Sequence, residues 1–95
     1  MFAQLITFDE TPDQVEEGIR HVTDEVIAPL AGTAGLRGFW LVNRDTGTRV
    51  SVMLWDDDDA MQAGFAALGA FRDSIGNPPR PTPTKVERFE IYGQI

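Results

Sequence analysis

From Arg49 to Trp55 the chain reads Arg-Val-Ser-Val-Met-Leu-Trp, and both alternating sets are largely apolar. Val50, Val52 and Leu54 share one side; Ser51, Met53 and Trp55 share the other. A strand of this kind belongs to a sheet covered on both faces. The 95 residues hold one core, so residues 1–95 form a single domain. Two helical stretches are all the chain offers as cover, and together they shield one face. A second copy of the chain is the simplest cover for the other, so the pattern predicts a homodimer through the sheet face.

The remaining elements follow from local signals. Phe2 to Phe8 is apolar enough for a strand and stops at Asp9-Glu10. Thr11-Pro12-Asp13-Gln14 reads as a helix start: an N-cap, a proline at the first helical position, an acid at the positive end of the dipole, and a capping-box glutamine. Val15, Ile19, Val22, Val26 and Leu30 then form one apolar stripe, with Pro29 positioned to kink the last turn and Gly32 to close it. Leu36 to Asn43 and Arg49 to Trp55 form a hairpin around Arg44-Asp45-Thr46-Gly47. The turn admits two registers, which leaves open whether Phe39 or Trp40 faces the helices. The acidic run Asp56 to Asp59 opens a second helix carrying Met61, Phe65, Leu68 and Ile75 at helical spacing, and Gly76-Asn77 ends it. Gly64 and Gly69 inside it mark close packing against the sheet. Pro78 to Pro83 is an extended connector, and Thr84 to Ile95 the last strand. The order β-α-β-β-α-β is that of a ferredoxin-like α+β fold with a four-stranded antiparallel sheet.

Charge and rare residues narrow the function classes. With 8 Lys+Arg against 15 Asp+Glu the net charge is −7, which argues against nucleic acid and anionic membrane surfaces as partners. Cysteine is absent and histidine occurs once, so no cysteine cluster or multi-histidine metal site is expected within one chain. Asp56 to Asp59 lacks the glycine and glutamate spacing of a calcium loop, since the sixth residue is Met61 and the twelfth Ala67. No apolar run spans a bilayer and Met1 to Glu10 has no leader pattern, so a cytoplasmic location is expected.

The segment Gly35-Leu36-Arg37-Gly38-Phe39-Trp40, the turn, Ser51 to Trp55, and the acidic helix start Asp56 to Met61 resemble the antibiotic biosynthesis monooxygenase-like family. The resemblance covers essentially the whole chain in element order and length. It implies a dimeric α/β barrel, in which two sheets face each other with helices outside. It also implies a ligand pocket between sheet and helices, and in the family's cofactor-free members the oxidation of anthrone-type polyketide phenols by dioxygen. Trp55 stands where the family's strand-end tryptophan would be. The asparagine and histidine of the haem-degrading members have no counterpart in Phe2 to Phe8 or in Met61 to Ile75. The expectation is therefore a monooxygenase-like protein that binds a small flat aromatic and uses no cofactor. A non-enzymatic ligand-binding or structural dimer stands beside it, as does an aromatic polyketide cyclase or isomerase.

Candidate pocket residues are Trp55, Tyr92, Trp40, Asn43 and Phe65, and no catalytic base is identified. Trp55 either stacks on a flat ligand and offers its indole N–H, or fills the core. Trp40 has the same two readings. Tyr92 is a proton donor or acceptor only if its phenol is strongly acidified, and otherwise a structural tyrosine. Asn43, Arg37 and Arg49 either orient a phenolate or quinone oxygen or lie on the surface. His21, beside Arg20 and off the apolar stripe, reads as a solvated side chain.

Overall fold

A computed structural model describes residues 1–95. Four strands, β1 (Phe2–Asp9), β2 (Leu36–Asn43), β3 (Thr48–Trp55) and β4 (Lys85–Glu90), form one antiparallel sheet in the order β2-β3-β1-β4. The two helical segments pack on one of its faces. The α+β ferredoxin-like order expected from the sequence is present.

The hairpin register is now fixed. Asn43 pairs with Thr48 across a four-residue turn, where Gly47 has φ +82° and donates its N–H to the Asn43 carbonyl at 2.9 Å. In this register Trp40 lies opposite Ser51 and Phe39 opposite Val52. Trp40 therefore shares the helix-facing side with Phe2, Gln4, Ile6 and Phe8 of β1 and with Arg49, Ser51, Met53 and Trp55 of β3. Leu5, Phe39, Leu41, Val50, Val52 and Phe89 point the other way. Nothing in the chain covers them: Phe39 is 59% exposed, Leu41 54% and Phe89 48%.

The first helical segment begins with a 3-10 turn at Pro12–Gln14 and continues as α1 (Val15–Val22). Gln14 Oε1 accepts from the Thr11 N–H at 3.1 Å, the glutamine half of the expected capping box. Thr23–Ile27 then widens into a π-helical turn, in which the Ala28 N–H bonds to the Thr23 carbonyl, before a final α-turn at Ala28–Leu30. Pro29 supplies the reason. It has no N–H for the Glu25 carbonyl and its ring would crowd that oxygen, which a wider turn just before it relieves. Gly32 follows at φ +85°, the left-handed geometry foreseen for it.

The second helix, α2 (Asp58–Ser74), is capped by Asp57, whose Oδ1 accepts from the Ala60 N–H at 2.8 Å. Its acidic neighbour Asp58 accepts from Arg88 on β4 at 2.9 Å. Trp55 is fully buried at the centre of a cluster with Phe2, Leu30, Met53 and Ala60. Gly64 sits against its ring, and a Cβ there would overlap the indole. Gly64→Ala gains about 1 kcal/mol in helix propensity but over-packs this contact at about 1–3 kcal/mol. Net destabilisation is expected, read as a lower urea midpoint; a higher midpoint would show that the indole moves aside freely. Gly69 differs from what the sequence suggested. Nothing lies within 4 Å of a Cβ placed there, so it marks open space rather than close packing.

The last strand is shorter than Thr84 to Ile95. β4 pairs only with β1, and the first β1 residue, Phe2, is already opposite Glu90. One further bond, Ile91 N–H to the Met1 carbonyl at 3.2 Å, ends the ladder. Residues 92–95 have no strand left to pair with.

Candidate functional site

A cavity of about 670 Å³ opens between the helix-facing side of the sheet and the two helical segments. Its floor is sheet: Ile6 and Phe8 from β1, and Arg49, Ser51 and Met53 from β3. One wall is the first helical segment, through His21, Val22 and Val26; the other is α2, through Phe65, Leu68, Gly69 and Arg72. The missing side chain at Gly69 helps to leave the space open. The rim comes from the end of α2 and the connector, with Asn77, Arg80, Pro81 and Pro83. Arg72 donates to the Pro78 carbonyl and Asn77 Nδ2 to Asp73 Oδ1 at 2.9 Å, which ties the connector to the helix it follows.

Arg49 is the polar centre of the floor. Its side chain is 7% exposed, and Nε donates to Glu10 Oε1 at 2.6 Å. The Nη2 of the same guanidinium also lies against that carboxylate oxygen, as an ion-pair contact without hydrogen-bond alignment. The guanidinium stacks over Phe8, 5.0 Å from the ring centroid. Gly18 of α1 makes room for it, because a Cβ there would come within 2.7 Å of the guanidinium. An arginine so placed is a fixed, partly desolvated guanidinium whose charge Glu10 balances. Arg72, half-buried at the wall, and Arg80, exposed at the rim, bring two further positive charges, with Asp73 beside them. Three of the chain's eight Lys and Arg thus surround one cavity in a protein of net charge −7. The apolar residues admit a hydrophobic body; the arginines favour an anionic oxygen on it.

His21 corrects the sequence reading. It lines the cavity and its side chain is 20% exposed, as is that of Glu25, which contacts Nδ1 across one helical turn. The apolar stripe marks the face pressed on the sheet, whereas the cavity lies beside that face, between the helices. The flank off the stripe is therefore a wall and not solvent. Arg49 is likewise no surface residue: it continues the Ser51, Met53, Trp55 alternation by one more step toward the helices. That extension of the pattern was the available signal for it.

The five candidate pocket residues are dispersed. Phe65 lines the cavity. Trp55 lies behind it, edge-on with ring centroids 5.8 Å apart, and its buried Nε1 has no partner. Trp40 lines a smaller 320 Å³ cleft on the β2 side of the first helical segment, which shares Val22, Arg49 and Ser51 with the main cavity. Asn43 is exposed and holds the turn, its Oδ1 accepting from Asp45 N–H at 3.0 Å and Thr46 N–H at 3.3 Å. Tyr92 lies past the end of β4, fully exposed, for the pairing reason given above. Arg37 is also exposed.

No protein-family model matches the chain. Two uncharacterised proteins of Mycobacterium tuberculosis, from strains CDC 1551 and H37Rv, are each 30% identical over 92 residues. The match takes in 96% of this chain but 41% of theirs, so the chain spans about two fifths of the length of these relatives. Among solved structures, a monooxygenase from the gene ActVA-Orf6 of Streptomyces coelicolor, in complex with nanaomycin D, superposes with a TM-score of 0.70 at 19% identity, over 99% of this chain and 89% of that one. The Mycobacterium tuberculosis heme-degrader MhuD, with two hemes bound, gives 0.65 at 17% identity, over 99% and 97%. An antibiotic biosynthesis monooxygenase gives 0.66 at 15% identity, over 98% and 100%. The chain has the fold of the antibiotic biosynthesis monooxygenase-like proteins, the resemblance its sequence suggested.

Proposed function

We propose that the chain is a monooxygenase-like protein that binds a flat aromatic phenol of polyketide type in the 670 Å³ cavity and oxidises it with dioxygen, without metal or flavin. The observation that carries this reading is the buried Arg49 set in a largely hydrophobic floor, a site suited to a planar hydrophobic molecule bearing an oxyanion. Support comes also from the fold shared with a monooxygenase that holds the ligand nanaomycin D.

For an anthrone the balance is simple. Loss of a proton gives an electron-rich anion, which the arginines stabilise. The anion transfers electrons to dioxygen and a C–O bond forms at the benzylic carbon, giving a hydroperoxide once protonated. That carbon then loses its remaining proton as the O–O bond breaks, leaving a quinone carbonyl and one water. The protein's part is desolvation, orientation and charge stabilisation.

The test is dioxygen uptake by metal-stripped protein supplied with an anthrone, against a no-protein blank. Uptake matched to quinone formed is expected. Gly69→Leu, which fills the cavity without touching the floor, should reduce the rate by about tenfold or more while the fold is retained. A flat trace with the ligand still bound would replace oxidation by binding alone or by cyclisation, which product analysis separates.

We propose further that a second copy of the chain covers the sheet face bearing Phe39, Leu41 and Phe89, completing a dimeric barrel. Three large hydrophobic residues about half exposed on one flat sheet face form the kind of patch that self-association buries. No helix in the chain is long and apolar enough to cross a membrane.

A further inference from the structure

His21 is the chain's single histidine, and its environment is asymmetric. Nδ1 lies against the carboxylate of Glu25, one turn on in the π-helical stretch Thr23–Ile27, as an ion-pair contact without hydrogen-bond alignment. Nε2 has no partner within the chain, and the ring lines the cavity. On an exposed helix such an i, i+4 pair would be a minor stabilising contact. Here both side chains are four-fifths buried, and the free nitrogen belongs to a residue of the cavity wall. The Glu25 carboxylate against Nδ1 limits how the ring can turn, and Nε2 is the nitrogen left to meet a bound group. The groups that share the cavity with the ring are Arg49, paired with Glu10, from the sheet; Arg72 and Asp73 from α2; and Arg80 from the connector.

We propose that His21, positioned by Glu25, accepts the proton of a phenolic hydroxyl bound in the cavity. The proposal rests on the aromatic reading above and supplies the base that reading lacks. The phenol O–H bond breaks, an Nε2–H bond forms, and the electron pair stays on the phenolate oxygen. That charge faces the arginines, while the new imidazolium charge faces Glu25. Glu25 is a positioning residue, since it acts only through the ring.

The test uses 4-methylumbelliferone, a flat phenol that dioxygen leaves intact and whose neutral and anionic forms absorb at different wavelengths. Binding is followed by tryptophan quenching and ionisation by the dye's own spectrum, at a pH where the free dye is neutral. The wild-type protein should hold the dye as its anion. His21→Gln should lower the anion-to-neutral ratio of the bound dye by about tenfold or more, and the affinity should fall with it, because the ionised form contributes to binding. His21→Ala should regain the anion band when imidazole is added, which a purely structural role would not produce. Glu25→Gln should keep binding and lower the anion fraction. A bound dye that is neutral in the wild type, or equally anionic in both His21 variants without imidazole, overturns the assignment and leaves the aromatic site standing. Failure of the wild-type protein to bind the dye overturns the aromatic site and this role with it.

Discussion

Trp55→Ala should destabilise the chain by about 3–5 kcal/mol, a large share of the about 5–15 kcal/mol that holds a small domain together. The indole is fully buried and touches every layer of the core: Phe2 from β1, Met53 from its own strand, Leu30 from the first helical segment, Ala60 from α2. Gly64 fits closely over the ring, so the helix cannot sink into the vacated space without a shift of its whole axis. Trp55→Phe should be much milder. It keeps most of the volume and removes an indole N–H that is buried without a partner. The two variants are compared by chemical denaturation followed by circular dichroism. Equal losses would show that volume is not what Trp55 contributes. Phe65, which lines the cavity and rests edge-on against Trp55, loses its backing in the alanine variant. Ligand affinity should therefore fall along with stability.

Phe39→Glu should abolish self-association while leaving the fold intact. The side chain is 59% exposed in the single chain, so folding alone makes little use of it. In a two-fold dimer every substitution occurs twice at the interface. Withdrawing two phenylalanines at about 1.5–3 kcal/mol each weakens association by roughly two to four orders of magnitude, before the penalty of two buried carboxylates. Sedimentation equilibrium reads the result directly. A wild-type chain that stays monomeric at every concentration, or a variant that assembles as well as the wild type, would remove the second copy from the account of the sheet face.

The sheet and helices were legible because their signals are local or periodic. The double alternation in Arg49 to Trp55 announced a sheet with two apolar faces, and Thr11 to Gln14 marked a helix start within a residue of where the 3-10 turn begins. The end of β4 was not legible, since it is set by where β1 starts, 88 residues earlier in the Phe2–Glu90 pair. The cavity was harder still. It lies between elements, so its wall residues obey no single period: His21 falls off the stripe of its own helix, and Gly69 reads from sequence like Gly64 while one faces space and the other an indole. Arg49 shows a third limit. Charge suggested surface, and only the partnership with Glu10, 39 positions away, makes its burial tolerable.

That partnership also links the timing of two free-energy costs. Removing a guanidinium from water is expensive whenever it happens. In this chain it happens during folding, with Glu10, Phe8 and the notch at Gly18 holding the group in place. A bound oxyanion then meets a charge already stripped of most of its hydration and already oriented, so little reorganisation remains at the moment of binding. The empty protein carries that cost as reduced stability, and occupation of the cavity returns it. A fitting anionic ligand should therefore raise the melting temperature more than a neutral one of the same shape and affinity for the apolar walls.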